Sequence, residues 1–271
     1  MGTLRTPSTA VDLDRYPFHD EALIARAHEA FVADGVCVLP GFLRPAAVAE
    51  LVAECEALAS GAHRSHVRGT PYLAAPETDR PEGHPRRALV DNRLEVIAYD
   101  QFPADSLLRA LYEWDDLLGF VAAVLGVDEL HRYADPFGAL NVAIMREGDV
   151  LGWHFDMTDF VVSIALQSST AGGDFLNAKQ IRTADDERFD DVASVLALGA
   201  GSPLVRTEPM TPGTLMLFNG RRSLHQVSEV RGDVPRYVAL LAYDTKPGTD
   251  STDALKLTRY GRLPGEAGVP A

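Results

Sequence analysis

The chain has little of what marks several broad classes of protein. Only two cysteines, Cys37 and Cys55, stand among 271 residues, too few for the disulfide framework of a small secreted domain. Two separate thiols, one in a strand-like and one in a helix-like stretch, fit a reducing compartment, and a cytoplasmic location is expected. Basic residues are scarce beside acidic ones, 25 Lys and Arg against 39 Asp and Glu, for a net charge of −14. Such a chain offers no basic face to neutralise phosphates, so no nucleic-acid partner is expected. No apolar stretch runs far enough without a charge to suggest a transmembrane helix. The opening "MGTLRTPSTAVDLDRYPF" lacks the apolar core of a secretory signal. Neither an internal repeat nor a low-complexity tract is found, which sets repeat architectures aside.

What remains is an ordinary globular composition, 46% hydrophobic and 24% charged. The pattern along the chain suggests one domain over residues 1–271, α+β in class with a mainly β core. Residues 19–34, "HDEALIARAHEAFVAD", space their apolar positions as an amphipathic helix that Gly35 ends. "VCVLPGF" reads as a strand, and "RPAAVAELVAECEALAS" as a second helix with Pro45 in its first turn. Residues 61–86, rich in Gly, Pro, His and Arg, suggest a long loop of the kind that closes over a substrate. A further helical region covers about 104–125, so that 19–125 forms a helical support. From about 137 to 248 the pattern changes to short β-rich runs separated by Gly, Pro, Asp and Ser, as in a barrel or sandwich. "TADDERFDDVASVLALGAGSP" interrupts them as a loop with one or two helical turns. Gly172-Gly173 suggests a hairpin turn, and 263–271 a disordered tail.

Just ahead of an apolar run, "GWHFDMTDFVVSIAL" sets His154 and Asp156 two positions apart. In a strand, residues i and i+2 share a face, so both side chains are expected to project together. Alone, the pair is weak evidence. The companion is His225 in "RRSLHQVSEV", near the start of a late strand. Two histidines and one carboxylate, with three positions left open, form the facial triad of non-haem Fe(II) oxygenases. Eleven positions on, Arg236 stands in the apolar strand "VPRYVALLAYD". A buried, unpaired charge is costly, and arginine is the natural fork for a carboxylate. A dicarboxylate that chelates iron at one end and meets Arg236 at the other answers both oddities, and 2-oxoglutarate is such a molecule. The alternative is an internal ion pair between Arg236 and an acid such as Asp233.

H-x-D, a distant His and an Arg about ten residues later resemble the Fe(II)/2-oxoglutarate-dependent oxygenases. "FVADGVCVLPGFL" is similar to the opening of their phytanoyl-CoA-hydroxylase-like branch. "LGWHFDMTDFVVSIALQ…GGDF…IR" and "RRSLHQVSEVRGDVPRYVALLAYDTKPG" resemble the group of free-amino-acid halogenases and hydroxylases known for acting on lysine. The resemblance implies a double-stranded β-helix (jelly roll), with iron on His154, Asp156 and His225. Arg236 would hold the distal carboxylate of 2-oxoglutarate, and O2 would be the second co-substrate. The halogenases carry Gly or Ala where this chain has Asp156. A carboxylate there takes the place of a halide, so hydroxylation of an unactivated C–H bond is expected. Relatives also place Ser or Thr two residues after the Arg; here Val238 stands there. Asn141 is then the candidate second contact to 2-oxoglutarate, the alternative being a cross-strand hydrogen bond. Arg86 and Arg87 are candidates for a substrate carboxylate, and Asp159 for an ammonium group; a solvated loop and an exposed turn are the alternatives. The expected substrate is a small free amino acid, L-lysine or a close analogue first. Other small molecules or oxidative outcomes stay open, as does the oligomeric state.

Overall fold

The computed structural model describes residues 6–265. Of the expected tail, residues 263–265 lead into a turn, and the remainder lies outside the described residues. The first half carries helices α1 (Pro7–Ala10), α2 (Glu21–Asp34) and α3 (Pro45–Leu58), with strand β1 (Val36–Leu39) between the last two. Strands β2 (His63–Gly69) and β3 (Val90–Ile97) follow, then helices α4 (Leu107–Glu113) and α5 (Asp115–Leu125). The second half brings β4 (His131–Arg132), β5 (Leu140–Met145), β6 (Leu151–His154), β7 (Val161–Gln167) and β8 (Phe175–Ala178). Helix α6 (Phe189–Leu198) precedes β9 (Arg206–Glu208), β10 (Leu215–Phe218) and β11 (Leu224–Val227). The last elements are β12 (Arg236–Leu241), β13 (Tyr243–Asp244) and helix α7 (Asp253–Tyr260).

Eleven strands form one curled antiparallel sheet in the order β1-β10-β7-β12-β5-β3-β6-β11-β8-β9, with β2 paired to β3. Strand β3 joins the two sides, pairing with β5 over Glu95–Ile97 and with β6 at Asn92↔Leu151. The strands of the larger side are buried on both faces, which explains their near-continuous apolar sequences. On β5, Leu140, Val142 and Ile144 face the helices in the main core, while Ala143 and Met145 face the interior between the two sides. Asn141 lies on the interior face by the same alternation. The outer face of the smaller side, with Trp153, Leu176 and Leu224, packs against Val192 and Val195 of α6.

Helix α2 begins at Asp20, whose carboxylate accepts the N–H groups of Ala22 and Leu23 at 2.8 and 3.0 Å, as an N-cap does. Cys37 and Cys55 are free and buried in the main core, and burial pushes their thiols up to about 11 and about 12.

Four expectations need correction. The loop expected over 61–86 is in its first part the strand β2, hydrogen-bonded to β3 along its whole length. The region 104–125 is two helices meeting at Trp114. The interruption before β9 holds the ten-residue helix α6, nearly three turns. The glycine pair does not close a hairpin: β7 pairs with β10 and β12, and β8 with β11 and β9, so Gly172-Gly173 carries the chain from one side to the other.

Candidate active site

The facing ends of β6 and β11 put the two histidines in direct register, His225 opposite His154. Their rings lie 4.2 Å apart between centroids, and both side chains are buried. Each imidazole is oriented by a backbone carbonyl: His154 Nδ1 lies 2.7 Å from Gly152 O, and His225 Nδ1 lies 2.9 Å from Ser223 O. A carbonyl only accepts, so the proton of the neutral ring sits on Nδ1 and the Nε2 lone pair faces the other ligands. Burial, followed by the neighbouring His225 ring, pulls His154 down to about 4, against the opposing pull of Asp156. The ring is therefore neutral and free to donate its lone pair.

Asp156 completes the group, though not as expected. Strand β6 stops at His154, so Asp156 is not held by strand alternation. It is held by the chain leaving β10: Asp156 N–H donates to Gly220 O at 3.0 Å. A Cβ at position 220 would fall 2.8 Å from Asp156 Cγ and collide with Oδ2, so only glycine lets the carboxylate reach its place. Arg221 then ties the following loop, donating to Met157 O and to the Asp159 carboxylate.

One ligand atom from each of His154, Asp156 and His225 can be chosen so that all lie within 4.8 Å of one another. Asp156 Oδ1 is 3.6 Å from His154 Nε2, and Oδ2 is 3.4 Å from His225 Nε2. Oδ2 is buried yet has no hydrogen-bond partner, because the nitrogen facing it carries no proton. Three lone-pair atoms that converge with no hydrogen between them repel one another, and a cation at their centre removes the conflict. Two imidazoles and a carboxylate suit a divalent first-row metal such as iron.

Arg236 is 7% exposed and lies opposite Met145, on the interior face. Among the described residues no carboxylate lies within 4 Å of its guanidinium. The alternative pairing with Asp233 is not made: Asp233 accepts from the Thr170 hydroxyl instead. Burial pulls Arg236 down to about 10, with Asp174 acting in the opposite direction. Its aliphatic stem crosses Gly173, where a Cβ would sit 3.0 Å from Arg236 Cδ and where φ is +67°. From Gly173 the chain runs through Asp174 to Phe175, whose ring stacks on His225 at 5.5 Å. Two residues of chain thus lead from the arginine stem to the ligand cluster.

Two asparagines share this interior. Asn141 donates only a long 3.5 Å hydrogen bond to Gly138 O, and its buried Oδ1 has no partner. The expected cross-strand alternative is absent. Asn177 was not anticipated. It sits opposite His225 on β8, has no exposed surface, and neither its Oδ1 nor its Nδ2 has a partner. An amide in the short apolar strand "FLNA", two residues after an inward phenylalanine, was the signal for it.

The other sequence candidates fare differently. Arg86 stacks on Tyr72 at 4.4 Å and reaches Glu77 and Glu187, both at 3.4 Å. It fastens the segment after β2 to the region of α6 and does not line the cavity before the histidines. Arg87 is exposed and donates to Arg80 O at 2.9 Å. Asp159 does line that cavity, but it is occupied by Arg221. Trp153 packs in the core.

A cavity of about 850 Å³ opens on His154 and Asp156, walled by β2, β3, the β6–β7 loop and the segment from β13 through α7. The sequence profile of the family described as Halogenase D matches residues 18–257. The chain belongs to the Halogenase D family. No curated protein matches it in sequence. Among solved structures this family member is similar to the epimerase SnoN from nogalamycin biosynthesis, in complex with Fe3+, alpha ketoglutarate and nogalamycin RO. That pair has a TM-score of 0.58 and 18% identity over 93% of this chain and 94% of that one. HygX from Streptomyces hygroscopicus, with nickel and 2-oxoglutarate bound, gives 0.54 and 16% over 83% and 88%. An oxidoreductase of the 2OG-Fe(II) oxygenase family from Burkholderia pseudomallei gives 0.52 and 16% over 85% and 94%. At these identities the likeness is one of fold, and the fold is the expected jelly roll. Among the described residues no helix is long and apolar enough to cross a membrane.

Proposed function

We propose that this Halogenase D family member is an Fe(II)- and 2-oxoglutarate-dependent dioxygenase that hydroxylates an unactivated C–H bond of a small molecule. The observation that carries this reading is Arg236: a buried guanidinium without a protein carboxylate, two residues of chain from a converging His–Asp–His cluster. His154, Asp156 and His225 would hold the iron on one face and leave the opposite positions open. Arg236 would receive the distal carboxylate of 2-oxoglutarate in a bidentate pair. Val238 faces the interior without a hydroxyl, so the second contact falls to an amide, Asn177 or Asn141. When bound, iron and 2-oxoglutarate supply O2 activation, with release of succinate and CO2 and delivery of one oxygen atom to the substrate. The protein's share is placement and exclusion of water: carbonyls fix both imidazoles, Gly220 seats Asp156, and Phe175 and Phe218 wall His225 from solvent.

Family membership favours a second reading, halogenation. Asp156 speaks against it, since its carboxylate supplies the third protein ligand where a halide would enter and repels a second anion. The free amino acid expected from the sequence finds little support in the cavity. Its volume lies in the upper range for drug-sized ligands. Of the acids in its wall outside the ligand cluster, Asp159 is held by Arg221, Asp250 by Lys256, and Asp244 by hydroxyls and an N–H of its own loop.

The test is iron content and O2-dependent succinate formation by the wild type and His225→Ala, with product mass measured in excess chloride. The wild type should bind one iron per chain and add oxygen without chlorine, and the variant should lose both iron and turnover. A chlorinated product, or turnover by His225→Ala, defeats the reading.

A further inference from the structure

The cavity in front of the ligand cluster has a chemistry of its own. Its walls carry Val67, Leu94, Leu151 and Phe160. Leu73, Met157 and Leu255 also line it, and they are 44%, 68% and 46% exposed. These three belong to the nine large apolar side chains left exposed among the described residues. Apolar groups gathered at one mouth mark a binding surface, whereas single scattered ones do not.

The charges in the wall are mostly spent. Asp159 pairs with Arg221, and Asp250 with Lys256 at 2.7 Å. Asp244 turns into its own loop, accepting from the hydroxyls of Thr245 and Thr249 and from the N–H of Lys246. Asp156 belongs to the ligand cluster. Arg259 in the last turn of α7 is left, and among the described residues it has no carboxylate within 4 Å. Arg68 borders the cavity through its strand, but alternation turns its side chain to the face of Asp91, away from Ser65 and Val67. Arg259 is half-buried in the cavity wall. In a chain of net charge −14, the wall group with neither a salt-bridge partner nor a hydrogen bond to its own loop is thus a cation.

We infer that the cavity takes a drug-sized, largely apolar molecule with one anionic group, held by Arg259 while a carbon of the apolar body lies before His154 and Asp156. The inference rests on the oxygenase reading for what happens at that carbon, but not for the binding itself. A guanidinium at the rim fixes which end of an otherwise featureless body enters first, and so which carbon is presented.

Two fluorescent dyes with the same body test it: 8-anilinonaphthalene-1-sulfonate, which carries an anion, and N-phenyl-1-naphthylamine, which does not. Each is titrated into the full chain with Fe(II) and 2-oxoglutarate under argon. The visible charge-transfer absorption of the iron–2-oxoglutarate complex is recorded on the same samples. The wild type should bind the sulfonate more tightly than the neutral dye. Arg259→Gln should weaken the sulfonate at least about tenfold, the size of a lost charge-assisted contact, and leave the neutral dye unchanged. Arg259→Lys should restore part of the loss. Ala74→Trp, which puts an indole into the cavity, should weaken both dyes. Unchanged sulfonate affinity in Arg259→Gln overturns the acid contact, and binding of either dye that survives Ala74→Trp overturns the apolar site. If Arg259→Gln loses both dyes, Arg259→Lys decides, and a neutral-dye affinity regained there without any regain for the sulfonate overturns the inference. Absence of the absorption band with the dye results intact defeats the oxygenase reading alone.

Discussion

The two sides of the ligand cluster are built on opposite principles. Toward the interior, a few polar groups are held in fixed places and several are left unsatisfied: Arg236 without a counter-ion, Asn177 with neither amide atom bonded, Asn141 with a bare oxygen. Toward solvent, the cavity is wide and apolar, and most of its polar groups are bonded to one another. Unsatisfied buried groups cost stability, so a fold keeps them only where something completes them. An apolar wall costs nothing and accepts many shapes. The inner side therefore states the chemistry of its occupant closely, and the outer side states only size and sign.

The contrast can be broken most forcefully at Arg236. Arg236→Ala should weaken 2-oxoglutarate by about 2–5 kcal/mol, as for a buried charge pair that loses one partner, while the dye affinities of the outer cavity stay put. A KM for 2-oxoglutarate that does not move returns Arg236 to a structural role.

Asn177 offers a sharper test, because two readouts should move in opposite directions. Asn177→Leu removes an unsatisfied amide, so the protein without cosubstrate should gain about 1–2 kcal/mol in denaturant unfolding. Binding of 2-oxoglutarate should fall at the same time, by roughly tenfold. Lower stability with unchanged 2-oxoglutarate binding would make Asn177 a packing residue.

The smallest effect is expected at Arg86. Its guanidinium stacks on Tyr72 and pairs with two glutamates that do not line the cavity. Arg86→Ala should cost about 1 kcal/mol of stability and leave KM values as they were. A raised substrate KM would restore the role expected from sequence.

The inner side was largely legible from sequence because unusual residues stand out against apolar strands. His225 and Arg236 interrupt "RRSLHQVSEV" and "PRYVALLAYD", and a charge in such a strand has few structural explanations. Asp156 was found by a rule that does not apply to it. Strand alternation pointed to a residue that does join the cluster, but the backbone bond to Gly220 is what places it, and a contact 64 positions away leaves no local trace. Strands β2 and β3 escaped notice because "HRSHVRG" and "VDNRLEVI" mix charges with apolar residues, as partly exposed strands do. Helix α7 was missed because it is short and polar, eight residues of which only Lys256 and Tyr260 are buried. Arg259 was missed with it. Arginines near the mouth were expected at positions 86 and 87, where the sequence clusters them, but the chain turns those away and brings up one from the far end.

The seating of Asp156 against Gly220 also makes the order of mutation matter. Shrinking position 156 first would leave a space at the ligand cluster bounded by a bare Cα, open to an external anion. Enlarging position 220 first would push the carboxylate from its place while it is still needed, a loss with nothing to offset it. Once position 156 is small, the same enlargement at 220 would fill the space and close the site to an anion. The two positions are thus epistatic, with the effect at 220 set by what stands at 156. A change from oxygen transfer to anion-accepting chemistry on this scaffold would therefore have to pass through position 156 before 220 became free to vary.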